Sequence, residues 1–191
     1  MTNQTYNTTP PKPFLPNWPR YCPGRSFPLY RHLPGVTPHP LSDPAGHSYG
    51  LEEPELTPLT GANWRTNEEY LFGFDLFNYS YWWEAHEVWE GLWQLAPYSS
   101  PERLFLQGFI QLSAALLKWH QRILGGVQKL STPGLAKLRL VLESSPKEVV
   151  FGVLLPEYVV RMEVFFRPYH EQSGDLPWGQ WEVHPLVELR L

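Results

Sequence analysis

Between Tyr81 and Trp93, Glu84, His86 and Glu87 are of types that do acid–base or metal chemistry. On a helix of about 3.6 residues per turn, Trp82, His86, Trp89 and Trp93 share one stripe, and Glu84, Glu87, Val88 and Gly91 share its neighbour. Gly91 costs roughly 1 kcal/mol of helix propensity relative to Ala, which the close approach of another backbone would explain. The glutamates are therefore expected beside a tight contact, where a carboxylate must be paired, protonated or metal-bound. Gln107 and Gln111, one turn apart on an otherwise apolar stretch, also need partners. The spacing points to one polar cluster of Glu84, His86, Glu87, Gln107 and Gln111 among the helices. In a catalytic reading Glu84 or Glu87 is the general base, His86 a ligand or acid, and the two glutamines orienting groups. In a structural reading the same network joins two helices, fixes their register and is inert.

The metal motifs that depend on spacing are incomplete. A zinc hydrolase helix needs His-Glu-x-x-His, and here His86-Glu87 is followed by Glu90, without the second imidazole. A ferritin-like centre needs Glu-x-x-His from two helices, and Glu84 is followed by Glu87. A mixed site remains, with His39, Asp43 and His47 from upstream meeting Glu84, His86 and Glu87. Imidazole and carboxylate together suit a divalent ion such as Zn, Mn, Fe or Ni. The default for His39 and His47, in a proline-rich loop, is exposure or a local turn hydrogen bond. There is no Gly-rich phosphate loop and no Gly-x-Ser-x-Gly elbow. Cys22 lies among prolines without a positioned base, which argues against a cysteine nucleophile.

The elements that must position these residues are helical. Thr66 and Glu69 have capping-box spacing and open a helix over 67–78. Ser80 is placed to cap a second over 81–95. Ser99 and Glu102, with Pro101 in the first turn, open a third over 101–122, apolar on most of its circumference and so central. Gly125-Gly126 ends it. Residues 127–142 read as helix again, kinked or split at Pro133-Gly134. Ser145-Pro146-Lys147-Glu148 opens a helix that Pro156 interrupts and that continues to about Arg167. Val149-Val150-Phe151 and Val159-Val160 are β-prone but sit inside helical patterns.

Thirteen of the 21 prolines fall in residues 1–60, which cannot be helical for long. Phe14, Trp18, Tyr21, Phe27 and Tyr30 punctuate this stretch, so it reads as an arm laying aromatic rings on a helical body, its first dozen residues disordered. The division expected is an arm over 1–60, a helical domain over 61–170 and an irregular, packed tail over 171–191. The fold class is all-α, a five- or six-helix bundle.

Composition excludes several classes. The chain has 191 residues, 42% hydrophobic and 18% charged, with a net charge of -4. That is enough for a real core, and it leaves no basic stripe for nucleic acid. The one cysteine excludes an internal disulfide framework and weakly favours a reducing compartment. No apolar run is long enough to span a bilayer, and Met1 to Thr9 lack a leader pattern, so a cytoplasmic protein is expected. The nine tryptophans also fit an interaction or homo-oligomerisation module, since Trp is enriched at binding hot spots, although core packing is their ordinary use.

The run Phe77-Asn78, Trp83-Glu84-Ala85-His86-Glu87-Val88-Trp89-Glu90 and Leu92-Trp93, followed by Phe105-Leu106-Gln107-Gly108-Phe109-Ile110-Gln111-Leu112-Ser113, resembles the central motif of the domain-of-unknown-function 309 family. The resemblance covers roughly residues 67–143. It implies an all-helical fold and no established activity. Asn78 and Trp83, inside the same pattern, join Gln107 and Gln111 as ligand-binding candidates. The segment from Pro38 to Gly50 resembles an extension seen in one branch of that family. The chain departs from the pattern at Pro133-Gly134. The functional expectation is a pocket protein, for a small molecule or a divalent metal, hydrolytic in one version, with an interaction module as the alternative.

Overall fold

The carboxamide of Asn67 starts the first helix: its Oδ1 accepts the Tyr70 N–H at 3.0 Å, satisfying one of the donors a helix leaves open at its start. In the computed structural model this helix, α1, spans Glu68–Asn78, and the residues described are 18–52, 54–172, 176, 178 and 185–191. Residues 1–17, with the first dozen expected to be disordered, lie outside that set, as does much of the tail expected over 171–191. Four more helices follow: α2 (Trp82–Leu95), α3 (Pro101–His120), α4 (Leu124–Ser144) and α5 (Leu155–Glu171). A hairpin of β1 (Val149–Val150) and β2 (Val153–Leu154) precedes α5. The chain is thus mostly helical.

Several expected boundaries are corrected, each for a local reason. Asn67 rather than Thr66 caps α1, and Ser100 rather than Ser99 caps α3, its Oγ accepting the Arg103 N–H at 3.1 Å. Ser80 does not cap α2. It and Ser99 turn the chain with φ of 68° and 62°, a region open to few L residues. Gly125 and Gly126 lie inside the first turn of α4 rather than ending α3. Pro133 does not split α4. It forfeits one helical N–H bond, while Gly134 comes within reach of the Gly108 carbonyl on α3. The first part of the helix expected from Ser145 is a hairpin instead, and its continuation to about Arg167 is α5. The hairpin's two-residue turn, Phe151-Gly152, has both φ positive, at 47° and 87°, as a tight turn matching strand twist requires. Pro156 sits in the first turn of α5 and interrupts nothing, because its missing N–H costs least there.

Each helix packs on the next in sequence, and α3 lies between α2 and α4. The core centres on Trp89, fully buried, with the rings of Phe74, Phe77 and Phe109 at 4.9, 5.8 and 5.4 Å. Gly73 makes this arrangement fit, because a side-chain carbon there would overlap the Trp89 indole, whose N–H instead reaches the Tyr70 carbonyl at 3.3 Å. Trp82 and Trp119 are likewise buried.

Among the described residues before Asn67 there is no helix or strand, and polar bonds hold this stretch to the helices. Fully buried Asp75 accepts the Arg20 guanidinium at 2.8 Å and the N–H groups of Tyr21 and Cys22 at 2.7 and 2.9 Å. Arg31 donates to the Tyr79 carbonyl at 2.9 Å. At the other end Asn78 exchanges two bonds of 2.8 Å with the Val187 backbone, and Val153 bridges Leu189.

Candidate functional site

The turn at Tyr79-Ser80 swings α2 under the N-terminal stretch, and Glu84, in its first turn, points at that stretch. Glu84 is 4% exposed. Its Oε1 accepts the backbone N–H of His32 at 2.7 Å and faces Nε2 of His47 at 3.2 Å. Its Oε2 is buried with no hydrogen-bond partner among the described residues. Burial raises the carboxyl pKa above the ordinary value, against the lowering pull of its own N–H, the His32 N–H and His47, since a low-dielectric surrounding disfavours the charged form.

His47 is held from three sides. Its Nδ1 meets Ser48 Oγ at 2.8 Å, its N–H donates to the Tyr30 hydroxyl at 3.2 Å, and its ring lies 4.8 Å from that of Tyr30. The Tyr30 hydroxyl donates onward to the Pro38 carbonyl at 2.9 Å. Trp83, half-buried, meets the rings of His32 and His39 edge-on at 4.9 and 5.4 Å. Burial lowers the pKa of His32, helped by His39 and His47, which keeps this imidazole neutral.

The expected cluster divides. Glu84 faces the N-terminal stretch. His86 is turned to its own helix, with Nδ1 3.0 Å from Glu87 and Nε2 3.7 Å from Glu90. Gln111 is on the other side of α3, where its Oε1 accepts Lys137 of α4 at 3.1 Å, and no hydrogen bond among the described residues joins Gln107 or Gln111 to Glu84. Both amide atoms of Asn78 are taken by Val187. Of the upstream trio, His47 reaches Glu84. His39 Nδ1 accepts the N–H groups of Leu41 and Ser42, and Asp43 accepts that of Ala45, so both serve their own turns. Among the described residues the only group of three potential metal ligands with atoms within 4.8 Å of one another is His86, Glu87 and Glu90. Gly91, expected against a backbone, meets the Leu56 side chain, 2.7 Å from where a Cβ would stand.

His47, Trp83, Glu84, Glu87 and Glu90 border a cleft of about 570 Å³ between residues 25–56 and helices α1 and α2, whereas His32, His39, Asp43, Asn78, His86, Gln107 and Gln111 are not in its lining. Phe27, Leu51, Leu56, Phe72 and Leu76 give it apolar walls, and Glu84, Glu87 and Glu90 line its α2 side. Its size falls in the range of small-molecule sites. Sequence reasoning missed His32, Tyr30 and Glu69 here; a histidine between Arg31 and Leu33 carries no local signal of the carboxylate it would meet. Cys22 is outside the cleft, and burial pushes its thiol up to about 11, with Asp75 and Glu68 adding to the rise.

Residues 70–130 match the model of DUF309, a domain of unknown function. The resemblance read from the motif is to that family. The DUF309 segment runs from the first turn of α1 into α4, so it contains Glu84, His86, Glu87, Gln107 and Gln111 but neither His47 nor the hairpin and α5. The segment from Pro38 to Gly50 lies outside the match. No curated protein and no solved structure matches the chain. Among the described residues no helix is long and apolar enough to cross a membrane.

Proposed function

We propose that this chain binds a small molecule in the cleft between its N-terminal stretch and helices α1 and α2, with Glu84 as the group that reads the ligand. One observation carries the proposal: Glu84 lines the cleft, and its carboxylate Oε2 is buried without a hydrogen-bond partner among the described residues. Such an atom costs about 1–3 kcal/mol or more, the larger figures applying to charged groups, unless something donates to it. A chain that keeps it gains something in another state, and a bound ligand is that state.

The same wall suits proton transfer. The carboxyl pKa is lifted by burial, and such a group is a better base than a free one near neutral pH. A hydrolytic form of this reading therefore gives Glu84 the part of base and His47 the part of its orienting partner. Glu87 stands on the cleft wall with His86 bonded behind it, and Trp83 flanks the site. For a divalent ion the chain offers His86, Glu87 and Glu90, a set that suits Zn, Mn, Fe or Ni. An ion there has to displace one of the two carboxylates that bracket the imidazole. An interface role for the tryptophans has less support, because Trp64, Trp82, Trp89 and Trp119 are buried in the core.

Titration of the isotope-labelled full chain with a neutral fragment set tests the cleft. The amides of Glu84, Glu87, Val88 and Gly91 are expected to shift together. Shifts scattered over the surface, or none, overturn the reading. Native mass spectrometry of untagged protein tests the ion: a metal-sized mass excess lost in His86→Ala supports it, and a bare mass refutes retained metal.

A further inference from the structure

The charge in the cleft is far more one-sided than in the chain. The whole sequence has 19 acidic side chains against 15 basic, whereas the cleft is lined by five glutamates (Glu52, Glu69, Glu84, Glu87 and Glu90) and one arginine. That arginine, Arg25, is spent. It pairs with Glu69 at 2.7 Å and lies over the Phe72 ring at 3.9 Å. Four carboxylates are left, with His47 as the one imidazole on the wall. An anionic ligand would meet repulsion from the α2 wall and from Glu52. A neutral donor could satisfy Oε2 of Glu84 and leave the surplus charge standing. A metal ion needs several ligand atoms converging, and Glu84 belongs to no such group among the described residues. The neighbourhood already seats cations on aromatic faces, with Arg20 over Phe27 at 3.9 Å beside Arg25 over Phe72, an attraction that comes from the negative face of the ring.

We infer that the ligand of this cleft is an organic cation, an ammonium group on an apolar body, with an N–H donated to Oε2 of Glu84 and the body against Phe27, Leu56 and Leu76. The inference rests on the reading of the cleft as a ligand site. It adds the chemical class. A charge-assisted bond of this kind is about twice as strong as a neutral one, and Glu87 and Glu90 at the mouth raise the local concentration of cations.

The test uses three probes of one shape: 2-phenylethylamine, 2-phenylethanol and phenylacetate. Each is titrated into the full chain at neutral pH while the amides of Glu84, Val88 and Gly91 are followed. The amine is expected to bind about tenfold or more tightly than either analogue, and to weaken with added salt. Glu84→Gln keeps an oxygen for the His32 N–H, and is expected to cut amine affinity about tenfold with the alcohol unchanged. Glu87→Gln, at the half-exposed rim, is expected to cut it about two- to threefold and serves if Glu84→Gln does not fold. Glu163→Gln, on α5, is expected to change nothing. If the alcohol or the acid shifts the same amides at equal or lower concentration, the cleft stands and the cation falls. If the amine binds equally well to Glu84→Gln and Glu87→Gln, the assignment to these carboxylates falls. If no probe shifts these amides, both readings fall.

Discussion

Asp75, fully buried in α1, holds the guanidinium of Arg20 at 2.8 Å and with it the start of the described N-terminal stretch. The same carboxylate takes the N–H groups of Tyr21 and Cys22, so three donors depend on one side chain. Removing one partner of a buried pair costs about 3–5 kcal/mol, because the other is left uncompensated. Asp75→Ala is expected to cost about 3 kcal/mol, moderated by the partial exposure of Arg20, and Asp75→Asn roughly half of that. Amide exchange distinguishes the cause: the amides of Tyr21 and Cys22 should speed up more than those of α3. Equal acceleration throughout would mean that Asp75 supports the core and not the N-terminal stretch.

Glu84 has a definite pH signature. Its folded pKa is raised above the ordinary 4.5 by burial. Between the two values the folded chain keeps a proton that the unfolded chain has released. Its contribution to stability is therefore full below pH 4.5 and lost as the pH rises through the folded pKa. Glu84→Gln, neutral at every pH, is expected to be more stable than the native chain at neutral pH by on the order of 1 kcal/mol, the low end of the cost of a buried polar atom left unpaired. The advantage shrinks toward pH 4.5. Denaturant titrations across that range check it. The same comparison in a His47→Gln background keeps the imidazole that faces Glu84 out of the difference.

His120 gives the opposite slope. Burial lowers its pKa from 6.5 to about 4, with Arg31 and Arg122 adding to the fall, and its Nε2 has no partner among the described residues. The unfolded chain takes a proton in this window that the folded chain refuses. Stability is therefore lost as the pH falls from about 6.5 toward 4. The loss from this residue is at most about 3 kcal/mol. His120→Gln is expected to flatten the acid limb of a melting-temperature profile. An unchanged limb would place the acid sensitivity elsewhere.

Gly108 and Gly134 let α3 and α4 approach. A Cβ at Gly108 would stand 2.6 Å from the Leu138 side chain and 3.2 Å from the Gly134 carbonyl. Gly108→Ala gains about 1 kcal/mol of helix propensity, but overpacking costs about 1–3 kcal/mol, and the backbone neighbour cannot move aside. A net loss of about 1 kcal/mol is expected. Leu138→Ala in the same chain should return part of it, so that the double variant is less than additive in urea unfolding.

The five helices were legible because apolar residues recur at helical spacing over long stretches. Their ends were not, since Ser80 and Ser99 look like caps and instead turn the chain. The hairpin at 149–154 was hidden for a related reason: its valines continue a helical period, and only the positive φ of Phe151 and Gly152, with Gly152 against Trp64, breaks it. Within the site, the pattern on α2 marked Glu84, and a buried partner was expected. Periodicity tells which face a residue is on, but not what that face meets. Gln107 and Gln111 were thus assigned to α2, when Gln111 turns to Lys137 of α4 and neither amide reaches Glu84. Asp75 left a trace that could have been used, a lone carboxylate in the apolar run from Leu71 to Phe77.

Leu56 against Gly91, and His47 against Glu84, have a consequence for comparing this chain with others. The recognised stretch of 70–130 supplies the floor of the cleft, and residues outside it supply the ceiling. Two proteins could share the floor residue for residue and still admit different molecules, because the roof is written in another part of the chain. Likeness over α1 to α3 therefore speaks for the floor of the cleft and leaves the shape above it to be read from the segment that precedes α1 in each protein.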